Sequence, residues 1–256
     1  MRHRFLDIDD RLEELSYYQR QNPQQWLSFQ QMYEMSWIYH ENILDGVALT
    51  PEEIKEALSS DLTRDISLVS IFRRIRNYKK CIDFVRDKAV SDDPRVDVEA
   101  IKELHSILVA GSDITPGKYR RNSPVHRAYY QQICAPGRVP YHLGQIVDYI
   151  NAGIGNSHMH PLEHAAHVHH RFMHAYPFSS ISGVVGRFLV NMILMRHQMI
   201  PIVIHCQERQ KYYHAIATSP ELVTRVFIES FENNIENAFH HFVEQHCHPQ
   251  HLATIG

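Results

Sequence analysis

Apolar residues recur at three- and four-residue intervals through most of the chain, while alternating runs of β-branched residues are scarce. That spacing lines apolar side chains along one face of a helix, so an all-α fold is expected. Thr50, Pro51 and Glu53 supply an N-cap, a first-turn proline and a capping-box glutamate, which predicts a helix starting at residue 51. Further helices are predicted over 66–88, 97–110, 142–153, 161–175, 184–198, 207–218 and 220–245. The chain divides by this reading into an N-terminal helical segment, 1–60, and a core domain, 61–250. The exception lies between 112 and 140, where Pro and Gly gather around the extended-looking VHRAYY. A β-hairpin or ordered loop inserted into the helical body is expected there, and such insertions commonly carry binding.

Composition narrows the function classes. With 256 residues, 44% apolar and 21% charged, the chain can bury a substantial core. Lys and Arg number 26 against 29 Asp and Glu, so no overall basic field favours nucleic acid. No apolar run approaches the roughly 20 residues that span a bilayer, and MRHRFLDIDD lacks the apolar stretch of a signal peptide. A soluble, unprocessed chain without membrane partners is expected. Four widely spaced cysteines fit reduced thiols in the cytoplasm better than a disulfide framework. The oddity is 20 histidines, with His160, His164 and His167 at i, i+4 and i+7 on one helical face. Such imidazoles can bind zinc, but Glu163 directly precedes His164, so HExxH is absent, and satisfied or surface histidines are the alternative. No metal is assigned. Pairing through 66–88 or 220–245 would give a homodimer, which periodicity does not distinguish from core packing.

Residues 160–194, HPLEHAAHVHHRFMHAYPFSSISGVVGRFLVNMIL, read as helix, loop, helix. A small-residue loop entering a helix exposes unpaired N–H groups and the positive end of the helix dipole, an arrangement suited to an anion. The surrounding motifs go further. The segments LHSILVAGSDITPGKYR, HPLEHAAHVHHRF, GRFLVNMILM and PIVIHCQERQKYYHAI, in that order, resemble the Fic (Fido-fold) family, whose core signature is HPFx[D/E]GNGRxxR. Upstream, MSWIYHENILDGVALTPEEIKEAL resembles the inhibitory helix of members with a [S/T]xxxE[G/N] motif. The resemblance covers roughly residues 30 to 240 and implies a helical bundle with an inserted β-hairpin flap.

Family members typically transfer AMP from ATP to a target-protein hydroxyl. The motif His is the general base, the acidic residue holds Mg²⁺, loop N–H groups and the Asn cradle phosphates, and the arginines bind the outer phosphates. Here the signature reads YPFSSISGVVGR. Tyr176 takes the base position, Ser180 that of the metal carboxylate, Ile181 the first Gly, Ser182 the Asn and Val184 the first Arg; Pro177, Phe178, Gly183 and Arg187 match. A tyrosine with a reference pKa near 10 is a poor base at neutral pH, and a serine offers magnesium only a neutral oxygen. His174, two residues before Tyr176, points roughly 200° away around the helix.

The resemblance therefore implies a degenerate Fic-fold protein, a binding or regulatory module with a weakened anion pocket. The rival reading is a nucleotidyl or other phosphate-group transferase working through a rearranged loop. ATP and Mg²⁺ are implied by resemblance alone. Ser180, Ser182, Gly183, Arg187 and Tyr213 would line the nucleotide or anion site, Tyr212 and Tyr213 matching the family's paired tyrosines, with Pro220 where an Asn is expected. In the inhibitory helix, alignment on Asn42 puts Ser36 at the Ser/Thr position and His40 in place of the Glu, with Glu41 following; a slip of one residue restores Glu41 as the acid. The His40 register is the one preferred. In the family that Glu pairs with the second motif arginine and blocks productive ATP binding. Residues 119–132 correspond to the flap, where Val125, Tyr129 and Tyr130 would meet a protein partner by strand addition, an aromatic pair packed into the body being the alternative for the two tyrosines.

Overall fold

The computed structural model describes residues 1–59, 66–93, 95–123, 132–154 and 159–246, with side chains described as far as 242. Ten α-helices occur among these residues: α1 Arg2–Gln21, α2 Pro23–Leu44, α3 Pro51–Ser59, α4 Val69–Ala89, α5 Val98–Leu108, α6 Val139–Gly153, α7 Pro161–Ala175, α8 Ser182–Arg196, α9 Arg209–Thr218 and α10 Pro220–His246. No strand occurs among the described residues. The expected all-α class holds. The hairpin expected within 112–140, with Val125, Tyr129 and Tyr130, is not found in the described part of that stretch, and those three residues lie outside it.

Local chemistry sets the helix ends. At α3 the Thr50 N–H donates to Glu53 at 2.7 Å and the Glu53 N–H to Thr50 Oγ1 at 3.2 Å, the expected capping box. Asp97 caps α5 by accepting from the Ala100 N–H. α6 starts three residues earlier than predicted because Pro140 fits a first helical turn, where its missing N–H costs nothing. Pro23 separates α1 from α2 by excluding helical backbone at Asn22, which sits at φ −132°, ψ 62°.

α8 is the central helix. Every residue from Val184 to Leu194 is buried, so it is apolar nearly all round and enclosed by neighbours. α7, α4 and α5 pack against it. The α7–α8 approach is close enough that a Cβ on Gly186 would sit 2.9 Å from the Phe172 ring and 3.1 Å from that of His169. α2 joins the same core, Trp37 stacking on Phe188 with ring centroids 5.0 Å apart. α10 packs on α7, α9 and α1, and α4 on α8, α5 and α3, so both helices considered for dimerisation spend apolar faces within the chain. Residues 201–205 cross the bundle without helical structure: Asn191 pairs with both backbone groups of Ile202, and Asn234 with both of Val203. Beyond that crossing, Tyr212 on α9 meets Arg187 on α8 and His169 on α7.

Candidate functional site at the loop between α7 and α8

The loop turns sharply at both ends. Tyr176 terminates α7 in the left-handed region at φ 41°, and Ile181 precedes α8 at φ 53°. A β-branched side chain seldom adopts that conformation, and the strain costs of order 1–3 kcal/mol. Ile181 occupies the position at which the family pattern has glycine, the residue for which such a φ carries no steric penalty. Ser182 closes the loop on itself: its Oγ accepts the Phe178 N–H at 2.9 Å and donates to the Phe178 carbonyl at 3.0 Å. Both capacities of that hydroxyl toward Phe178 are thereby used.

Arg120 fixes the loop from beneath. Its backbone N–H donates to Pro177 O at 2.9 Å, Nε to Tyr176 O at 2.7 Å and Nη2 to Ala175 O at 3.2 Å, with Cys134 O a further acceptor. This buried cation takes up carbonyls that the end of α7 leaves without helical partners. Sequence reasoning saw Arg120 only as the last residue of PGKYR.

Tyr176 stands where the family signature has its histidine. Tyr176 is 5% exposed, and burial, followed by the nearby Asp45 charge, pushes its hydroxyl well above the ordinary value. His174 points elsewhere, as helical geometry predicts, its Nδ1 lying 2.9 Å from the Gln132 carbonyl. His105 is the imidazole that touches the loop, stacked on Phe178 at 4.0 Å, with Nδ1 accepting the Gly117 N–H and burial lowering its pKa to about 4. Where the family signature has its acidic residue, the Ser180 Oγ is buried with no hydrogen-bond partner. A single neutral hydroxyl does not fit the carboxylate-rich oxygen shell that Mg²⁺ prefers. Among the described residues no group of three or more His, Cys, Asp or Glu is arranged to hold a metal ion.

The preferred register of α2 is corrected by the structure. Glu41, not His40, faces Arg187: its carboxylate accepts from Nε at 2.8 and 3.0 Å and lies 2.7 Å from Nη2. Both side chains are nearly fully buried. Burial pushes the Glu41 carboxyl up more strongly than the Arg187 charge and hydrogen bonds draw it down. Alignment on Asn42 chose the wrong face because Asn42 has another task, donating to Ile38 O and accepting from Arg74 Nε at 2.6 Å. His40 instead stacks on His205, and Ser36 lies half-buried on α2. From Arg187 the network continues inward: Nη1 donates to the Tyr212 hydroxyl at 3.2 Å, which lies 2.7 Å from His169 Nε2. Burial, then the Arg187 charge, lowers the His169 pKa to about 3, so this imidazole is neutral. Tyr213, expected near a nucleotide, donates to Leu44 O at 3.2 Å and ties α9 to the end of α2. Gly183 lies against Arg187, a Cβ there falling 3.3 Å from Nη1.

The histidine face does not gather into a zinc site. His160 caps α7 through Nδ1 and meets Asp9 through Nε2, while His164 meets Tyr149 O and packs against Gly153, where a Cβ would lie 2.3 Å from its ring.

Residues 95–194, which include Arg120, the loop and Arg187, match the Fic/DOC family model. Over that stretch the chain resembles the Fic/DOC family. It is 26% identical over 192 residues to the protein adenylyltransferase Fic of Drosophila willistoni, covering 75% of this chain and 38% of that protein. Over 226 residues it is 24% identical to the Drosophila virilis protein of the same name, covering 88% of this chain and 46% of that one. The chain thus spans less than half the length of these curated relatives. Its fold is that of a Fic domain containing signaling protein from Bacteroides thetaiotaomicron, with a TM-score of 0.78 at 21% identity, covering 92% of this chain and 97% of that one. A fragment of Fic-1 from C. elegans superposes with a TM-score of 0.80 at 19% identity, covering 94% of this chain and 72% of that one. No helix among the described residues is long and apolar enough to cross a membrane.

Proposed function

We propose that this chain is a Fic-fold binding or regulatory module, related to protein adenylyltransferases, that does not itself transfer AMP. The observation that carries this reading is the chemistry of the loop. Nucleotidyl transfer to a hydroxyl needs a group to accept its proton and positive charge to offset the phosphates. The base position holds a buried tyrosine whose hydroxyl resists ionisation, and the metal position holds a neutral serine. Arg187, the arginine that matches the family signature, is closed on Glu41. What is left is a weakened anion pocket that opens only when another negative group displaces Glu41. Residues 119–132 would dock the protein partner, and the buried or half-buried free thiols Cys81, Cys134 and Cys206 fit a cytoplasmic setting.

Calorimetry of ATP with and without Mg²⁺, on the wild-type chain, Glu41→Gln and Arg187→Ala, tests this reading. Expected is negligible binding to wild type with no gain from Mg²⁺, weak Mg²⁺-independent binding to Glu41→Gln, and none to Arg187→Ala. Micromolar, Mg²⁺-dependent binding by wild type, weakened tenfold by Arg187→Ala, would overturn it in favour of a transferase with a rearranged loop; tenfold corresponds to about 1.4 kcal/mol.

A further inference from the structure

The end of α2 that carries Glu41 rests on the 201–208 segment through two imidazoles. The His40 and His205 rings are stacked with centroids 4.3 Å apart and an interplanar angle of 22°. The backbone N–H of Cys206 donates to His40 Nδ1 at 3.2 Å. That nitrogen accepts only while it carries no proton, so the contact requires a neutral His40. Two stacked imidazoles likewise tolerate at most one charge without repulsion. His40 is therefore a titratable side chain, adjacent in sequence to Glu41, whose contact with the body exists in one protonation state alone.

We propose that the His40–His205 stack is an acid-opened latch: protonation from solvent breaks the His40 bond to Cys206, separates the rings, and lets the end of α2 withdraw Glu41 from Arg187. This inference rests on the closed-pocket reading above and names how that pocket would be regulated.

The surroundings define what the latch works against. On α2 itself, Tyr39 meets the His40 ring edge-on and Glu41 follows it. The 201–208 segment contributes His205, Cys206 and Glu208, the last accepting from Ser230 on α10. From α9, Arg209 and Tyr213 both donate to Leu44 O; from α4, Arg74 holds Asn42 and Asp45; from α8, Arg187 holds Glu41. Of these, the His205 charge is the one that shifts His40. Burial first, then His205, lowers the His40 pKa to about 4. A histidine held below its ordinary 6.5 favours the stacked state fully above that value, and the preference is lost progressively as pH falls from 6.5 toward about 4. Between pH 7.5 and 5.0 the opening constant rises at most about thirtyfold, less what solvent screening removes at this half-buried ring.

Hydrogen–deuterium exchange on the full chain, corrected for intrinsic exchange, reads the opening in peptides covering 36–44 and 203–208. Expected is an opening constant rising ten- to thirtyfold from pH 7.5 to 5.0 in wild type, and a rise under threefold in His40→Gln, whose amide oxygen still accepts the Cys206 N–H without titrating. Peptides from α7 and α10 serve as the internal reference. Equal pH responses in wild type and His40→Gln, no response in wild type, or α7 and α10 opening in step with α2 would each overturn the latch. Inorganic phosphate added at pH 5.0 separates the two readings. Exchange that rises as expected while phosphate fails to bind supports the latch and counts against the anion pocket.

Discussion

Two buried guanidiniums flank the loop, Arg120 and Arg187, each 4% exposed, and they are held in opposite ways. Arg120 donates to main-chain carbonyls at the end of α7 and beside Cys134. Its partners belong to the path of the chain and cannot leave without unmaking the loop. Arg187 is held by a side-chain carboxylate from another helix, and a carboxylate can be exchanged for another anion. The difference separates a cation that builds the loop from one whose partner the protein can change.

Substitutions break or sharpen that contrast. The largest effect is expected from Arg120→Ala, which strands several buried carbonyls and should lower stability by roughly 3–5 kcal/mol in urea titration. Adding phosphate should not restore it, because the vacated partners are themselves acceptors. Next, Glu41→Gln leaves the Arg187 charge buried without a counter-ion and should cost about 3 kcal/mol. Here the partner is exchangeable: the double variant Glu41→Gln/Arg187→Met should recover most of the loss, and phosphate should raise the melting temperature of the single variant. A failure of both rescues would mean that Arg187 is as fixed as Arg120.

The smallest effect distinguishes the arginines by pH. Arg187 reaches an imidazole through Tyr212, whereas the acceptors found for Arg120 are backbone groups and Cys134. Because the His169 pKa is lowered to about 3, its contribution is whole above pH 6.5 and is lost as pH falls through the window below it. About 2 kcal/mol should be gone by pH 5. His169→Gln, which keeps an acceptor for the Tyr212 hydroxyl, should flatten that limb of the stability profile. An unchanged acid limb would take His169 out of the network.

Much of this was legible in the residues. Helix positions followed from apolar spacing and caps, since these are local: Thr50 and Glu53 meet as their three-residue separation requires. The side chains available at the loop followed from aligning YPFSSISGVVGR with the family signature. The register of α2 did not. Neighbouring helical residues point about 100° apart, so choosing His40 or Glu41 means choosing a face, and both faces of that stretch are covered. Alignment on Asn42 assumed that the amide marked the motif, whereas Arg74 and the Ile38 carbonyl explain it. Arg120 escaped notice because its partners are carbonyls, which leave no mark in a sequence.

The sequence by itself determined a helical chain that resembles the Fic family, with Tyr176 and Ser180 at the positions where that family's signature has a histidine and an acidic residue. These properties reside in periodicity, capping and residue identity, each readable within a few positions. Only the tertiary structure decided that Glu41 holds Arg187, that Ser182 is spent on Phe178, and that His40 meets His205. Glu41 and Arg187 lie 146 positions apart, and His40 and the Cys206 N–H it accepts from lie 166 apart. No local rule links such positions; the packing of α2 across α8 and the 201–208 segment brings them together.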